Sequence, residues 1–212
     1  MINIHYFTFG PFQENTYILW DNSKECVIVD PGNNNNSENV KLSNFISENS
    51  LKPVRLILTH AHVDHINGCK YVLDTYGLLP EVHTADLPFI QNHLTTATMY
   101  GLNAEQCPMP EKYISEGDII NFGNSSLQTL HTPGHSPGSI TFYNITDNFM
   151  ISGDVLFYGS IGRTDLPMGN FDTLINSIKT KLFPLNDSMK VYSGHGPATT
   201  IGFEKMNNPF LV

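Results

Sequence analysis

The segment Thr59-His60-Ala61-His62-Val63-Asp64-His65 places four potential metal ligands within six residues, and His135, Asp154 and His195 follow at long intervals. In a chain of this composition, His-x-His-x-Asp-His arises by chance on the order of one time in a thousand. Imidazoles and carboxylates suit zinc, and also iron or manganese, whereas the lack of a thiolate group excludes a cysteine-rich cluster. Five His and two Asp are too many for one tetrahedral ion. Two divalent ions sharing a carboxylate and a solvent molecule would use all seven, with the ions roughly 3.5 to 4 Å apart. Such a pair generates hydroxide near neutral pH and polarises a carbonyl, so the chemistry expected is hydrolytic attack on an acyl group.

Strand ends are expected to deliver these residues. Val54 to Leu58 reads as a short buried strand leading to His60 and His62, and a helix from Ile66 to Tyr76 follows, with Asp64 where the helix begins. A helix start favours an ionised ligand there. Three further strands, Ser126 to Leu130, Asn148 to Ile151 and Met189 to Tyr192, run into Gly-containing turns that carry His135, Asp154 and His195. Convergence at strand carboxyl ends is where open α/β sheets place their sites. Tyr17–Trp20 and Cys26–Val29 read as a hairpin, Ser37–Asn49 and Phe171–Leu182 as amphipathic helices, and Leu87–Tyr100 as helical. Asp30, closing the second hairpin strand, could hold a ligand histidine by its other ring nitrogen, and His131 could do the same from the neighbouring turn. Turn stabilisation by Asp30 and an ordinary hydrogen bond from His131 are the competing roles, while His5, His83 and His93 read as structural or solvent-facing. Arg163 is a candidate substrate contact or, with Asp165, an ion pair beside the site.

At 212 residues with a formal charge of −9, the chain fits one α/β domain spanning 1–212, and its acidity disfavours nucleic acid as a partner. The amino terminus lacks the features of a signal peptide and no window approaches the ~20 apolar residues of a membrane span, which points to a cytoplasmic protein without membrane contact. Cys26, Cys69 and Cys107 are odd in number and read as reduced packing residues. The run Asn33–Asn36 reads as a surface loop.

The ligand motif, with Thr132-Pro133-Gly134-His135-Ser136-Pro137-Gly138 and Ser152-Gly153-Asp154, resembles the metallo-β-lactamase superfamily over nearly the whole chain. That resemblance implies a four-layer αββα sandwich, two mixed sheets flanked by helices. It also implies that His60, His62 and His135 bind one ion, Asp64, His65 and His195 a second, and that Asp154 bridges them. Asp64 and Asp154 are thereby the catalytic carboxylates, and zinc is the metal expected, with iron or manganese as alternatives. Gly10 to Tyr17, Ser160-Ile161-Gly162-Arg163-Thr164-Asp165 and Gly194-His195-Gly196-Pro197 resemble the short glyoxalase-II-like hydrolases within it. The implied activity is hydrolysis of a small thioester of the S-lactoylglutathione type by a bridging hydroxide. The departure from glyoxalase II is the helical, glutathione-gripping carboxy-terminal domain, for which the residues after His195 leave no room. Acyl chemistry therefore carries over better than glutathione recognition. Class B β-lactamases commonly place a Cys on the second metal and are exported, which disfavours antibiotic hydrolysis. The alternatives are a mono-iron sulfur dioxygenase acting on glutathione persulfide, or a hydrolase of another small ester or lactone. A non-catalytic metal-binding protein is disfavoured because the ligand set is complete.

Overall fold

The computed structural model describes all 212 residues. One sheet comprises β1 (Asn3–Phe9), β2 (Glu14–Trp20), β3 (Glu25–Val29), β4 (Lys52–Ile57), β5 (Pro80–Val82) and β6 (Lys112–Tyr113), side by side in that order. Its first three strands are antiparallel and the rest parallel, so the sheet is mixed. The second sheet contains β7 (Ile119–Phe122), β8 (Ser125–His131), β9 (Ile140–Asn144) and β10 (Phe149–Gly153). After a small hairpin of β11 (Leu156–Phe157) and β12 (Ser160–Ile161), it is completed by β13 (Lys190–Ser193) and β14 (Thr199–Thr200), in the order β14-β13-β10-β9-β8-β7.

Alternation along the strands builds the layers. In β2 and β3, Leu19, Val27 and Val29 face the second sheet and pack with Leu127, Phe142 and Ile151, while Ile18 and Ile28 point the other way. That outer face packs on α1 (Asn36–Glu48) through Leu42 and Ile46, on α2 (Val63–Ile66) through Ile66, and on α3 (Cys69–Tyr76) through Cys69 and Val72. The chain then forms α4 (Leu87–Gln91) and α5 (His93–Met99). On the far side, Met150 and Val191 pack against Leu174 of α6 (Phe171–Ser177) and Ile201 of α7 (Ile201–Asn207). Helix, sheet, sheet and helix therefore stack in four layers. All three cysteines are buried free thiols. No helix is long and apolar enough to cross a membrane.

Several elements depart from the periodicity. The helix expected over 66–76 begins only at Cys69, separated from the single turn of α2 by Asn67 and Gly68; there the Gly68 N–H turns away to donate to the Pro31 carbonyl at 2.7 Å, and the side chain of Asn33 fills the space a Cβ would need. The one over 171–182 is α-helical only to Ser177 and widens into a π-turn at Ile178–Leu182. The 87–100 segment is two helices with a break at Asn92, whose side chain turns back to the Pro88 carbonyl. The asparagine run is less of a surface loop than its composition implies. Asn33 is buried and bonded to Asn39, and Asn35 caps α1 by accepting the Glu38 N–H at 3.0 Å.

Candidate metal centre

Five strands, β3, β4, β8, β10 and β13, end at one rim of the sandwich, and the residues after them are Asp30, the His60–His65 segment, His135, Asp154 and His195. The donor atoms of His60, His62 and His135 lie within 4.8 Å of one another, as do those of Asp64, His65 and His195. Asp154 stands between the two triads. Its Oδ1 is 3.4 Å from His65 Nε2, and its Oδ2 is 3.5 Å from both His135 Nε2 and His195 Nε2. Asp64 Oδ2 is 3.2 Å from His195 Nε2. All seven side chains singled out by spacing thus share one cluster. Asp64 does lie in the first turn of α2, but that helix is four residues long, so its dipole assists little.

Outer partners fix the ring orientations. A carbonyl can only accept, so His135 Nδ1–H donates to the Arg163 carbonyl at 2.7 Å and His195 Nδ1–H to that of Phe12 at 3.0 Å. Each ring therefore turns its Nε2 toward the cluster. Asp30, with φ of +50°, accepts the Thr59 N–H at 2.7 Å through one carboxylate oxygen. Its other oxygen accepts the Thr59 hydroxyl at 2.5 Å and faces His65 Nδ1 at 3.1 Å. Asp30 thus combines turn stabilisation with an orienting contact. His131 does not reach the cluster, because the end of β8 directs its ring to the Pro137 carbonyl, 2.8 Å away, and onto the ring of His83. Arg163 lines the cavity above the cluster, with its guanidinium forked onto Asp165 at 2.8 and 2.7 Å.

Whether a cation fits is answered by polar atoms that have no other use. Nε2 of His60 and His65 and Oδ1 of Asp154 are buried without a hydrogen-bond partner, and His62 turns its Nδ1 to within 2.8 Å of His135 Nε2 in the same cluster. Buried polar atoms are normally paired, and several left without a partner among grouped His and Asp donors fit divalent cations well.

Charge within the cluster is divided. Burial, reinforced by the neighbouring His65 ring, holds His60 well below the ordinary imidazole range, and burial with His135 takes His62 down to about 3. Both are neutral and ready to ligate. Burial opposes the charge on His65 and His195, yet the Asp154 and Asp64 carboxylates prevail, raising His65 well above its usual value and His195 to about 10. The same pairing overcomes burial at Asp154 and Asp64, which are held low, Asp154 markedly so. At neutral pH the metal-free protein therefore carries protons on His65 and His195, and these must leave when a cation takes their place. Zinc binding near pH 7 is expected to release about two protons, with affinity falling as pH decreases. Calorimetry in buffers of different ionisation enthalpy measures the release, and none detected would contradict this charge state.

Motif spacing did not disclose Asp86 or the segment that anchors His195. Asp86, fully buried, accepts the Ala61 N–H at 2.9 Å, the Gly138 N–H at 2.7 Å and the Ser136 hydroxyl, tying the first ligand loop to the one carrying His135. Burial raises its pKa, and these donors limit the rise. Asp86→Ala strands those donors and is expected to lower stability by about 2–4 kcal/mol, measurable by urea denaturation of the metal-free protein. A loss below half a kcal/mol would show that the two loops hold without it. Asn15 donates through Nδ2 to the Ser193 and Gly196 carbonyls, and the Tyr17 hydroxyl donates to Ser193 O at 2.6 Å. These bonds pin the His195 turn. The Gly10–Tyr17 word was visible in the sequence, but its role was not.

The family model described as "Metallo-beta-lactamase superfamily" matches residues 9–195. The chain is 38% identical to hydroxyacylglutathione hydrolase GloC of Haemophilus influenzae, over 99% of this chain and 98% of that protein. It is 41% identical to the probable metallo-hydrolase YqgX of Bacillus subtilis, over 95% and 94%. Among solved structures, BLEG-1 B3 metallo-beta-lactamase superposes with a TM-score of 0.91 at 36% identity, covering 99% of this chain and all (100%) of that one. TTHA1623, solved in a di-iron-bound form, gives 0.88 at 38%, covering 98% and 100%.

Proposed function

Given that the chain belongs to the metallo-beta-lactamase superfamily, as a metallo-hydrolase of that family, we propose that it hydrolyses a small thioester of the S-lactoylglutathione type at a binuclear centre. The observation that carries this reading is the position of Asp154, within 3.5 Å of imidazoles from both donor triads. In it, His60, His62 and His135 would hold one cation and Asp64, His65 and His195 the other, with Asp154 available to both and zinc the expected metal. A one-iron centre of two His and one Asp would leave most of these buried donors unused. The identity to GloC, whose name states hydroxyacylglutathione hydrolysis, supports the acyl chemistry.

Two divalent cations so held would supply hydroxide at neutral pH and Lewis acidity toward an acyl oxygen. The protein's own contribution is orientation and exclusion. The Arg163 and Phe12 carbonyls fix the tautomers of His135 and His195, and Asp30 steadies His65. Phe89 lies edge-on to His62 with centroids 4.8 Å apart, and Phe157 faces His195, so apolar surface limits water above the cluster. A thiolate leaves without strong protonation, so the reaction requires no strong general acid from the protein.

Metal content and turnover, measured on one preparation, test the reading. The expected result is about two equivalents of zinc or iron with hydrolysis of lactoyl thioesters. One iron with oxygen uptake on glutathione persulfide, or opening of a β-lactam ring with no thioester cleavage, would replace it. The β-lactam arm answers the likeness to BLEG-1.

A further inference from the structure

The cavity over the cluster, about 610 Å³, has a mostly apolar wall. One side comes from Phe89 of α4 and from Tyr100, which follows α5, the opposite side from Phe157, Leu166 and Met168, and Phe12 closes the rim edge-to-face on Tyr100 at 5.4 Å. That volume suits a ligand of roughly 300–1,000 Å³ class, and a three-carbon acyl group fills only a fraction of it. Most of the wall must therefore meet the thiol side of a thioester. Among the lining side chains only Arg163 carries a fixed positive charge, and its fork is already taken by Asp165. Glutathione carries two carboxylates, one ammonium group and two peptide units. In this cavity its carboxylates would meet a cation already matched by Asp165, and its two peptide units would find only Asn92, Thr96, Ser160 and the Tyr100 hydroxyl as neutral polar groups on a mostly apolar wall, where polar atoms left without a partner are costly.

We propose that this cavity selects thioesters whose thiol arm is uncharged and apolar, aromatic or branched aliphatic, with Asp165 setting the bias against anionic arms by occupying Arg163. The inference rests on the thioesterase reading for its chemistry but not for its binding preference. The arm packs between the Phe89–Tyr100 and Phe157–Met168 walls, while the acyl carbonyl lies over the cluster.

Two measurements on the metal-loaded protein test this. Lactoyl thioesters of phenylmethanethiol and of glutathione differ only in the thiol arm, and kcat/KM is expected to favour the former by at least about tenfold, chiefly through KM. Asp165→Asn, a change at an exposed side chain, frees Arg163 and should narrow that ratio by about threefold. Calorimetric binding of the unreactive ethers, benzyl 2-hydroxypropyl sulfide and S-(2-hydroxypropyl)glutathione, should show the same preference. Equal or better use and binding of the glutathione compounds would overturn the inference while leaving the thioesterase reading intact. If neither thioester is cleaved, that reading fails, and the binding ratio of the two ethers still decides this one.

Discussion

Asp154→Asn is expected to hold about one equivalent of zinc instead of two and to lose turnover by more than about a hundredfold. The substitution preserves shape and removes the negative charge that faces His65, His135 and His195 together. Losing an outer-shell partner of a ligand already costs about 10–100-fold in metal affinity or activity, so a shared ligand must lie beyond that range. The same change takes from His65 and His195 the carboxylate that raises their pKa values. Proton release on binding the remaining ion should therefore drop alongside metal content, a second readout independent of turnover. A variant that retained both equivalents and wild-type kcat would remove Asp154 from the shared position.

How much of this centre could be read from the chain follows from which interactions are local. His60, His62, Asp64 and His65 announced themselves because one loop carries them. His135, Asp154 and His195 were legible because each follows an apolar run and a glycine turn, and β8, β10 and β13 end there. The four-layer arrangement was an implication of the family resemblance, since no periodicity specifies which strands join which sheet. Long-range hydrogen bonding was invisible. Asp86 meets Gly138 across 52 positions and Asn15 meets Ser193 across 178, and neither pair leaves a spacing signature. The break at Gly68 was hidden for a related reason, since it reflects contact with Pro31 and Asn33, a tertiary override of helical periodicity.

Gly194 carries the second large expectation. A Cβ at this position would overlap Asp154 Oδ1 and lie 2.7 Å from His65 Cε1. The turn cannot retreat, because the Gly194 N–H donates to the Gly153 carbonyl at 2.9 Å and its own carbonyl accepts from Asn15 at 2.7 Å. Tyr17 fixes the preceding residue through Ser193 O. In Gly194→Ala, then, the side chains of Asp154 and His65 must give way, and both belong to the proposed second ion site. The expected outcome is a loss of affinity for that ion of about a hundredfold or more, with about 1–3 kcal/mol of destabilisation from overpacking. Gly196→Ala separates this from a general intolerance of the turn. Gly196 has φ of +72° with open space around it, so alanine there strains only the backbone, by about 1 kcal/mol, and should leave both ions bound. Chelator competition with calorimetric unfolding on the pair decides the matter. Two tightly held equivalents in Gly194→Ala would mean that Asp154 and His65 do not need the space this glycine keeps open.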